Sequence, residues 1–331
     1  MSDKLLEVRN LRTYFYVKRG ELRAVDGLSY SIDKGQFVAL VGESACGKSV
    51  SALSIMRLIP YPPGVIVGGE IIFDGKDLLR LSEEEMRSIR GNRIAIVFQE
   101  PMTSLNPVLI VGRQIAEALE IHRGLSRQAA MNEAVNLLKL VGIPDAERRV
   151  GHYPYQFSGG MQQRIMIAMA ISCNPALLIA DEPTTSVDVT VQAQLMDLIN
   201  SLRTQFSTSI ILITHNLGVV ARYADHVNVM YAGRLVESGP TDVIYEKPAH
   251  PYTMGLIASV PRLDMHRKQS LRVIPGLPPD LARLPRDICA FTSRCRFTLG
   301  ECMKARPLLE QVSENHFVAC FRHRDISVMR G

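Results

Sequence analysis

The stretch GESACGKS, Gly42 to Ser49, has the residue types and spacing of a loop built to hold phosphate. It matches G-x-x-x-x-G-K-[ST], follows the apolar run QFVALVG and precedes the helical pattern VSALSIMRL, which is the context such a loop needs. Backbone N–H groups from Gly42, Ser44, Ala45, Cys46 and Gly47, with those opening the helix near Ser49 and Val50, would cradle a polyphosphate. Lys48 would reach its β- and γ-phosphates, and the Ser49 hydroxyl would ligate Mg²⁺. A second pair of chemical groups closes the run LLIADEP, where a buried strand would aim Asp181 and Glu182 into a site at its C-terminal edge. Asp181 suits direct or water-mediated Mg²⁺ binding, and Glu182 suits the base that polarises an attacking water. The plainer alternative for this pair is a helix N-cap.

The third chemical cluster is thiol. Cys289, Cys295, Cys302 and Cys320 run C-x5-C-x6-C-x17-C, which is neither a C-x2-C zinc ribbon nor a bacterial ferredoxin run. Four thiolates are the right number for a [4Fe–4S] cluster or a tetrahedral Zn²⁺. Unrelated buried thiols are the alternative, since cysteine is among the most buried residue types. Cys46 reads as a space-filler in the phosphate loop and Cys173 as a core residue.

Short apolar runs alternating with helical patterns must position these groups. QFVALVG (36–42), RIAIVFQ (93–99), ALLIAD (176–181) and SIILITH (209–215) read as buried strands of an α/β core with a largely parallel sheet. VQAQLMDLINSLRTQF places Leu195, Leu198, Ile199 and Leu202 on one helical face. Hairpin turns are expected at Asp74-Gly75 and Ala232-Gly233, and a helical, strand-poor insertion between residues 108 and 150. After residue 240 the proline-rich stretch VIPGLPPDLARLP breaks regular structure, and the domain boundary is expected near there.

Composition is that of an ordinary globular chain, with 47% apolar and 21% charged residues in 331. No run reaches the length a spanning helix needs, and the N-terminus lacks a signal-peptide pattern, so a cytoplasmic chain is expected. There, cysteine clusters more often bind metal than form disulfides. The net charge of +5 resides wholly in residues 241–331, which hold 14 Lys+Arg against 9 Asp+Glu; the first 240 residues balance at 24 each. That excess fits a solvated surface, an anionic partner or compensation for a negative cluster.

FSGGMQQR (157–164) resembles the signature sequence of ABC-type ATPases. Gln99 in VFQEP resembles their Q-loop, His215 in LITHN their switch histidine, and Asp188 in SVDV their D-loop. Ser158, Gly159 and Gly160 open a helical run whose free N–H groups form a second anion site. In that family the signature of one subunit closes over ATP held by its partner, so the resemblance implies an ATPase dimer. It implies an α/β fold: a RecA-like parallel-sheet core with an antiparallel β subdomain and a helical signature subdomain (about 100–165). These make a nucleotide-binding domain over 1–240, followed by a small cysteine-containing C-terminal extension over 241–331.

The mechanism implied is phosphoryl transfer from ATP to water. Lys48 and Mg²⁺, near Ser49, Gln99 and Asp181, neutralise charge; Glu182 orients the water and His215 contacts the γ-phosphate. Phe15 aligns with the family's adenine-stacking aromatic, with Tyr14 and Tyr16 as neighbouring alternatives and a plain strand aromatic as the bland reading. Ala45 stands where the family usually has glycine, and would strain the loop by about 1–2 kcal/mol if its φ is positive. The D-loop carries Ser186 and Val187 where alanine and leucine are common. Neither change removes a catalytic group, so an active ATPase is expected rather than a non-hydrolysing regulatory subunit.

QEPMTSLNP (99–107), FSGGMQQRIMIAMAI, HPYTMGL (250–256) and the IPGLPP-plus-cysteine tail look like the ATP-binding subunit of bacterial dipeptide/oligopeptide importers, in the branch that includes nickel transporters. The partners implied are a second ABC ATPase subunit, identical or different, two integral membrane permeases and, indirectly, an extracytoplasmic peptide-binding protein. No nucleic acid is expected, and the location implied is peripheral, on the cytoplasmic face of the inner membrane. The alternative class is a soluble repair or translation ATPase, which typically carries two ATPase units or long coiled-coil insertions; neither is visible. The same resemblance implies a [4Fe–4S] cluster on Cys289, Cys295, Cys302 and Cys320, with Zn²⁺ as the alternative. Arg294, Arg296, Arg322 and Arg324 would then offset its charge or stand as solvated surface.

Overall fold

The computed structural model describes residues 4–18, 20–100, 104–185, 187–260 and 273–328. In chain order its first strands are β1 (Lys4–Val17), β2 (Gly20–Asp33), β3 (Phe37–Val41), β4 (Gly64–Phe73), β5 (Lys76–Asp77) and β6 (Ile94–Val97). They are followed by β7 (Leu177–Asp181), β8 (Ser209–Thr214), β9 (His226–Tyr231), β10 (Arg234–Pro240), β11 (Glu310–Ser313) and β12 (His316–Val318). The chain forms two compact units, one of residues 33–36 and 80–212, the other of residues 4–32, 37–79 and 213 onward.

In the first unit the strands lie in the order β8-β7-β6, with β6 parallel to β7 from Ile94↔Leu177 to Val97↔Ala180. Every residue of β7 and β8 is buried. That explains their unbroken apolar runs, since a parallel strand covered on both faces has no polar side. The expected helical region is present as Val111–Arg123 and Arg127–Leu140, the second capped by the Ser126 hydroxyl accepting from Ala129 N–H. The helix Val189–Phe206 buries Leu195, Met196, Ile199 and Leu202, whereas Leu198 is only half-buried. Met196, three residues before Ile199, fills the inward face that the sequence reading gave to Leu198.

The second unit holds an antiparallel sheet, β2-β1-β4-β5, and the strand order β11-β12-β10-β9-β3. Both predicted hairpin turns form with two consecutive left-handed residues, Asp74-Gly75 (φ 49° and 80°) and Ala232-Gly233 (φ 49° and 80°). β3 pairs with β9 in parallel, and β10 with β9 and β12 antiparallel. The β11–β12 pair extends this sheet from the tail, through Glu237↔Val318 and Ser238↔Phe317. The sequence reading did not foresee it, because EQVS and HFV are too short to show alternation.

A fully buried carboxylate fixes where the tail begins. Glu237 on β10 accepts from the Ala249 N–H (2.6 Å), the His250 N–H (2.9 Å) and pairs with His316 Nε2 (2.9 Å). His250 Nδ1 then accepts from Tyr252 N–H at 3.0 Å, capping the helix Pro251–Ala258. Burial lowers the His250 pKa from 6.5 to about 4. The unfolded chain therefore takes up this proton first as pH falls, and stability is lost between pH 6.5 and about 4. In His250→Gln the fall in unfolding midpoint across that window should be shallower than in the wild type, by up to roughly 3 kcal/mol of stability change. Parallel acid limbs in the two proteins would contradict this assignment.

Candidate active site

The phosphate loop is placed by β3 and closed by steric necessity. Gly47 lies at φ 103°, and a Cβ there would run into the Ala24 carbonyl oxygen; Gly42, at φ 153°, faces the Met230 carbonyl in the same way. Ala45 does sit at φ 62°, so the strain anticipated from sequence is present. Lys48 is buried, and its Nζ donates to the carbonyls of Gly42 (2.9 Å) and Glu43 (3.0 Å). Ser44, Ala45 and Ser49 are exposed and Val50 is half-buried, while Cys46 is buried with its thiol 3.8 Å from Lys48 Nζ. Burial raises the Cys46 pKa, as befits a space-filling thiol. Cys173 is half-buried with a raised pKa from the same cause, and its thiol donates to the Ala118 carbonyl at 3.6 Å.

Strand alternation separates the three candidate aromatics. Thr13 is buried against Ser54 of the loop's helix, Lys48–Ile55, with the hydroxyl oxygens 2.8 Å apart. Phe15 shares that face by the period of two, and Gly64, its partner on β4, leaves space for the ring. Tyr14 points the other way, donating its hydroxyl to Asp26 Oδ1 at 2.7 Å, and Tyr16 is exposed. In the same unit His215 is exposed, just before the helix Leu217–Tyr223 capped by Asn216.

In the first unit, β7 ends in buried Asp181, and Glu182 follows in a left-handed conformation, φ 47°. A non-glycine residue held there stores about 1–3 kcal/mol, and such strain gathers at functional sites. Glu182 Oε2 accepts from Gln99 Nε2 (3.2 Å) and from the Thr185 hydroxyl (2.9 Å). Gln163, from the signature helix Gly159–Ile171, donates to the Gln99 carbonyl at 3.2 Å. Signature, Q-loop and Glu182 are thus joined by consecutive hydrogen bonds; Thr185 and Gln163 were not singled out from sequence. Ser158 and Gly159 are exposed at the start of that helix, where a Cβ on Gly159 would meet nothing within 4 Å. Gly160, by contrast, is packed against Val191. Asp188 caps the helix Val189–Phe206 by accepting from Thr190 and Val191 N–H at 3.0 and 2.9 Å. Ser186 lies outside the described residues.

The ABC transporter family profile matches residues 25–185, and the profile of the oligopeptide/dipeptide transporter C-terminal region matches residues 236–302. The oligopeptide transport ATP-binding protein OppD of Bacillus subtilis is 51% identical over 95% of this chain and 88% of its own. A probable peptide ABC transporter ATP-binding protein of Sinorhizobium fredii is 50% identical over 98% of this chain and 97% of its own. This chain belongs to the ABC transporter ATP-binding family. Among solved structures, a dimeric ATP-binding cassette, MJ0796, in a post-hydrolysis state with ADP and Pi superposes with a TM-score of 0.64 at 26% identity. It covers 71% of this chain and 98% of that one. The ABC ATPase fold expected from sequence is the fold observed.

Cys289, Cys295 and Cys302, within the matched C-terminal region, and Cys320 beyond it line one small, mostly apolar cavity. Burial pushes the Cys289 thiol up to about 11 and the Cys320 thiol up to about 12, and neighbouring thiols add to both. Among the described residues, no three His, Cys, Asp or Glu side chains are gathered closely enough to hold a metal ion. Of the arginines beside the thiols, Arg322 lines the same cavity and its N–H donates to Cys320 Sγ at 3.4 Å, whereas Arg294 has a different partner. Arg294 is buried and pairs with Glu43 in the phosphate loop, Arg296 stacks on Phe297, and Arg322 pairs with Asp325. The Arg322 charge lowers the Cys295 pKa, against the larger rise from burial. Arg294 and Tyr252, whose hydroxyl accepts from the Glu43 N–H at 2.8 Å, are contacts of the phosphate loop that its own sequence does not announce, although Tyr252 belongs to HPYTMGL.

Ala45→Gly should remove the left-handed strain, raising the unfolding free energy by about 1 kcal/mol and tightening nucleotide binding. Thermal unfolding and nucleotide titration check this; a less stable, weaker-binding variant would show that the alanine is not strained.

Proposed function

We propose that this chain is the ATP-hydrolysing subunit that powers import of di- or oligopeptides through a membrane transporter. The observation that carries the reading is agreement along the whole length. Relatives named for peptide transport match at about half identity over 95% or more of this chain, including the tail region typical of oligopeptide/dipeptide transporters. Residues 1–240 serve as the nucleotide-binding domain, with the helical subdomain near 100–165, and 241–331 as its extension. The chain acts as a pair with a second ATPase subunit, bound peripherally to two permeases served by an extracytoplasmic binding protein. Among the described residues no helix is long and apolar enough to cross a membrane.

In this reading Lys48 exchanges the Gly42 and Glu43 carbonyls for phosphate oxygens, and Phe15 offers its ring to the adenine. Glu182, held by Gln99 and Thr185, orients a water toward the γ-phosphorus and takes its proton as the bond to the β-phosphate oxygen breaks. ADP and phosphate leave. His215 steadies the γ-phosphate, while Ser158, Gly159 and Asp188 act toward the nucleotide of the partner subunit; Gly160 holds the signature helix close to Val191. Mg²⁺, for which Ser49, Gln99 and Asp181 are the ligands or their supports, supplies charge neutralisation.

The four tail cysteines suit a [4Fe–4S] cluster in number and kind. They share one cavity, and Zn²⁺ on the same four thiols is the alternative. Raised thiol pKa values mean that loading must release protons and weaken as pH falls.

Uptake of a labelled tripeptide should disappear in cells lacking this chain and return with the wild type but not with Glu182→Gln. The purified variant should lose at least about 10²-fold in ATP turnover while binding nucleotide nearly as well. Loss of nickel uptake with intact peptide uptake would overturn the substrate reading. Anaerobically purified protein should contain iron and acid-labile sulfide that Cys320→Ser reduces; stoichiometric zinc without iron would overturn the cluster.

A further inference from the structure

Glu43 is a carboxylate within a loop whose proposed ligand is a polyphosphate, so its charge opposes the binding that the loop exists to provide. The structure supplies a specific counter-charge from the far end of the chain. Arg294 meets Glu43 with both terminal nitrogens, Nη1 to Oε2 at 2.6 Å and Nη2 to Oε1 at 2.9 Å. The arginine side chain is only 4% exposed. Its Nε donates to the Pro275 carbonyl at 2.8 Å, Nη1 also reaches the Tyr231 hydroxyl at 3.3 Å, and the guanidinium lies against the Tyr231 and Phe291 rings. The carboxylate raises the guanidinium pKa further, so the charge is permanent.

The remaining polar atoms of Glu43 are also engaged. Its N–H donates to the Tyr252 hydroxyl, and its carbonyl accepts from Lys48. Arg294 itself ends a short turn, Thr292–Arg294, set between Cys289 and Cys295. That turn is closed by Thr292 N–H to the Cys289 carbonyl at 3.1 Å, and Cys289 N–H in turn donates to the Cys302 carbonyl at 2.9 Å. The cysteine-bearing segment is therefore physically continuous with the loop that carries Lys48.

We propose that Arg294, supported by Tyr252, is a positioning residue for ATP binding: it orients the phosphate loop and cancels the Glu43 charge that would otherwise repel the phosphates. This rests on the reading of residues 42–49 as the ATP site. A pin that served folding alone would predict lost stability whatever the charge of Glu43. Charge cancellation predicts a particular pattern among variants of the full chain.

A fluorescent ATP analogue titrated into each purified protein, with KM and kcat for ATP and the unfolding midpoint, reads that pattern. Arg294→Met should weaken nucleotide binding about tenfold and raise KM, with kcat changed by less than about threefold. Arg294→Met with Glu43→Gln should recover most of the affinity lost in Arg294→Met, since no unbalanced charge remains, the residual deficit reporting the lost two-pronged geometry. Arg294→Lys, which keeps the charge but not the two-pronged geometry, should fall between wild type and Arg294→Met. Glu43→Gln alone should bind at least as tightly as the wild type. The proposal is overturned if Arg294→Met binds normally, if the double variant stays as weak as Arg294→Met, or if Glu43→Gln is itself strongly weakened. Should Arg294→Met not fold, Arg294→Lys and Glu43→Gln decide by the same criteria. Failure of the wild type to bind the analogue would instead refute the ATP reading on which the proposal stands.

Discussion

The three-way hold on Glu43 is the constraint around which the second compact unit is arranged. Its carboxylate is clamped by Arg294, its N–H by Tyr252 and its carbonyl by Lys48. The Tyr252 and Arg294 clamps depend on deeper ones. Glu237, fully buried, fixes the amides of Ala249 and His250; His250 caps the helix that presents Tyr252; and Phe291 packs edge-on against Tyr231 and Tyr252 beside the turn that presents Arg294. A buried charge pair is expensive unless its geometry is good and its remaining donors are satisfied. Arg294 meets that condition through Pro275 and Tyr231. The motif HPYTMGL thus has a physical meaning: histidine caps, proline opens the helix and tyrosine reaches the loop.

The first unit applies a related economy to a different carboxylate. Glu182 is kept in a left-handed conformation with its Oε2 shared between Gln99 and Thr185, and Gln99 is tied by its carbonyl to Gln163 on the signature helix. Both donors are side chains, Gln99 Nε2 at 3.2 Å and the Thr185 hydroxyl at 2.9 Å, so the carboxylate's position is set by the Q-loop residue and by its own turn. Consecutive hydrogen bonds therefore link the helix Gly159–Ile171, through Gln163 and Gln99, to the Glu182 carboxylate.

Much of this was legible in the sequence where chemistry is local. GESACGKS, LLIADEP and both hairpin turns lie in single stretches whose spacing dictates their geometry, and Ala45 at positive φ followed from its place in the loop. Phe15 was separable from Tyr14 and Tyr16 only once Thr13 was seen to pack on Ser54, because alternation gives two faces without saying which one turns inward. The least legible feature was Arg294. Its partner is 251 positions away, and an arginine among cysteines reads naturally as cluster neutralisation or surface. The added β11–β12 pair was invisible for a simpler reason, its strands being shorter than any periodicity test can resolve.

Through Arg294 and Tyr252, the cysteine-bearing tail is proposed to hold the phosphate loop in shape. Amide hydrogen exchange on the full-length chain, followed through the peptide spanning residues 42–48, tests it most directly. Slow exchange in the wild type that accelerates when Tyr252→Phe removes the acceptor for Glu43 N–H is the predicted result. Exchange in the wild type as fast as in exposed loops, or unaffected by that substitution, would contradict the claim.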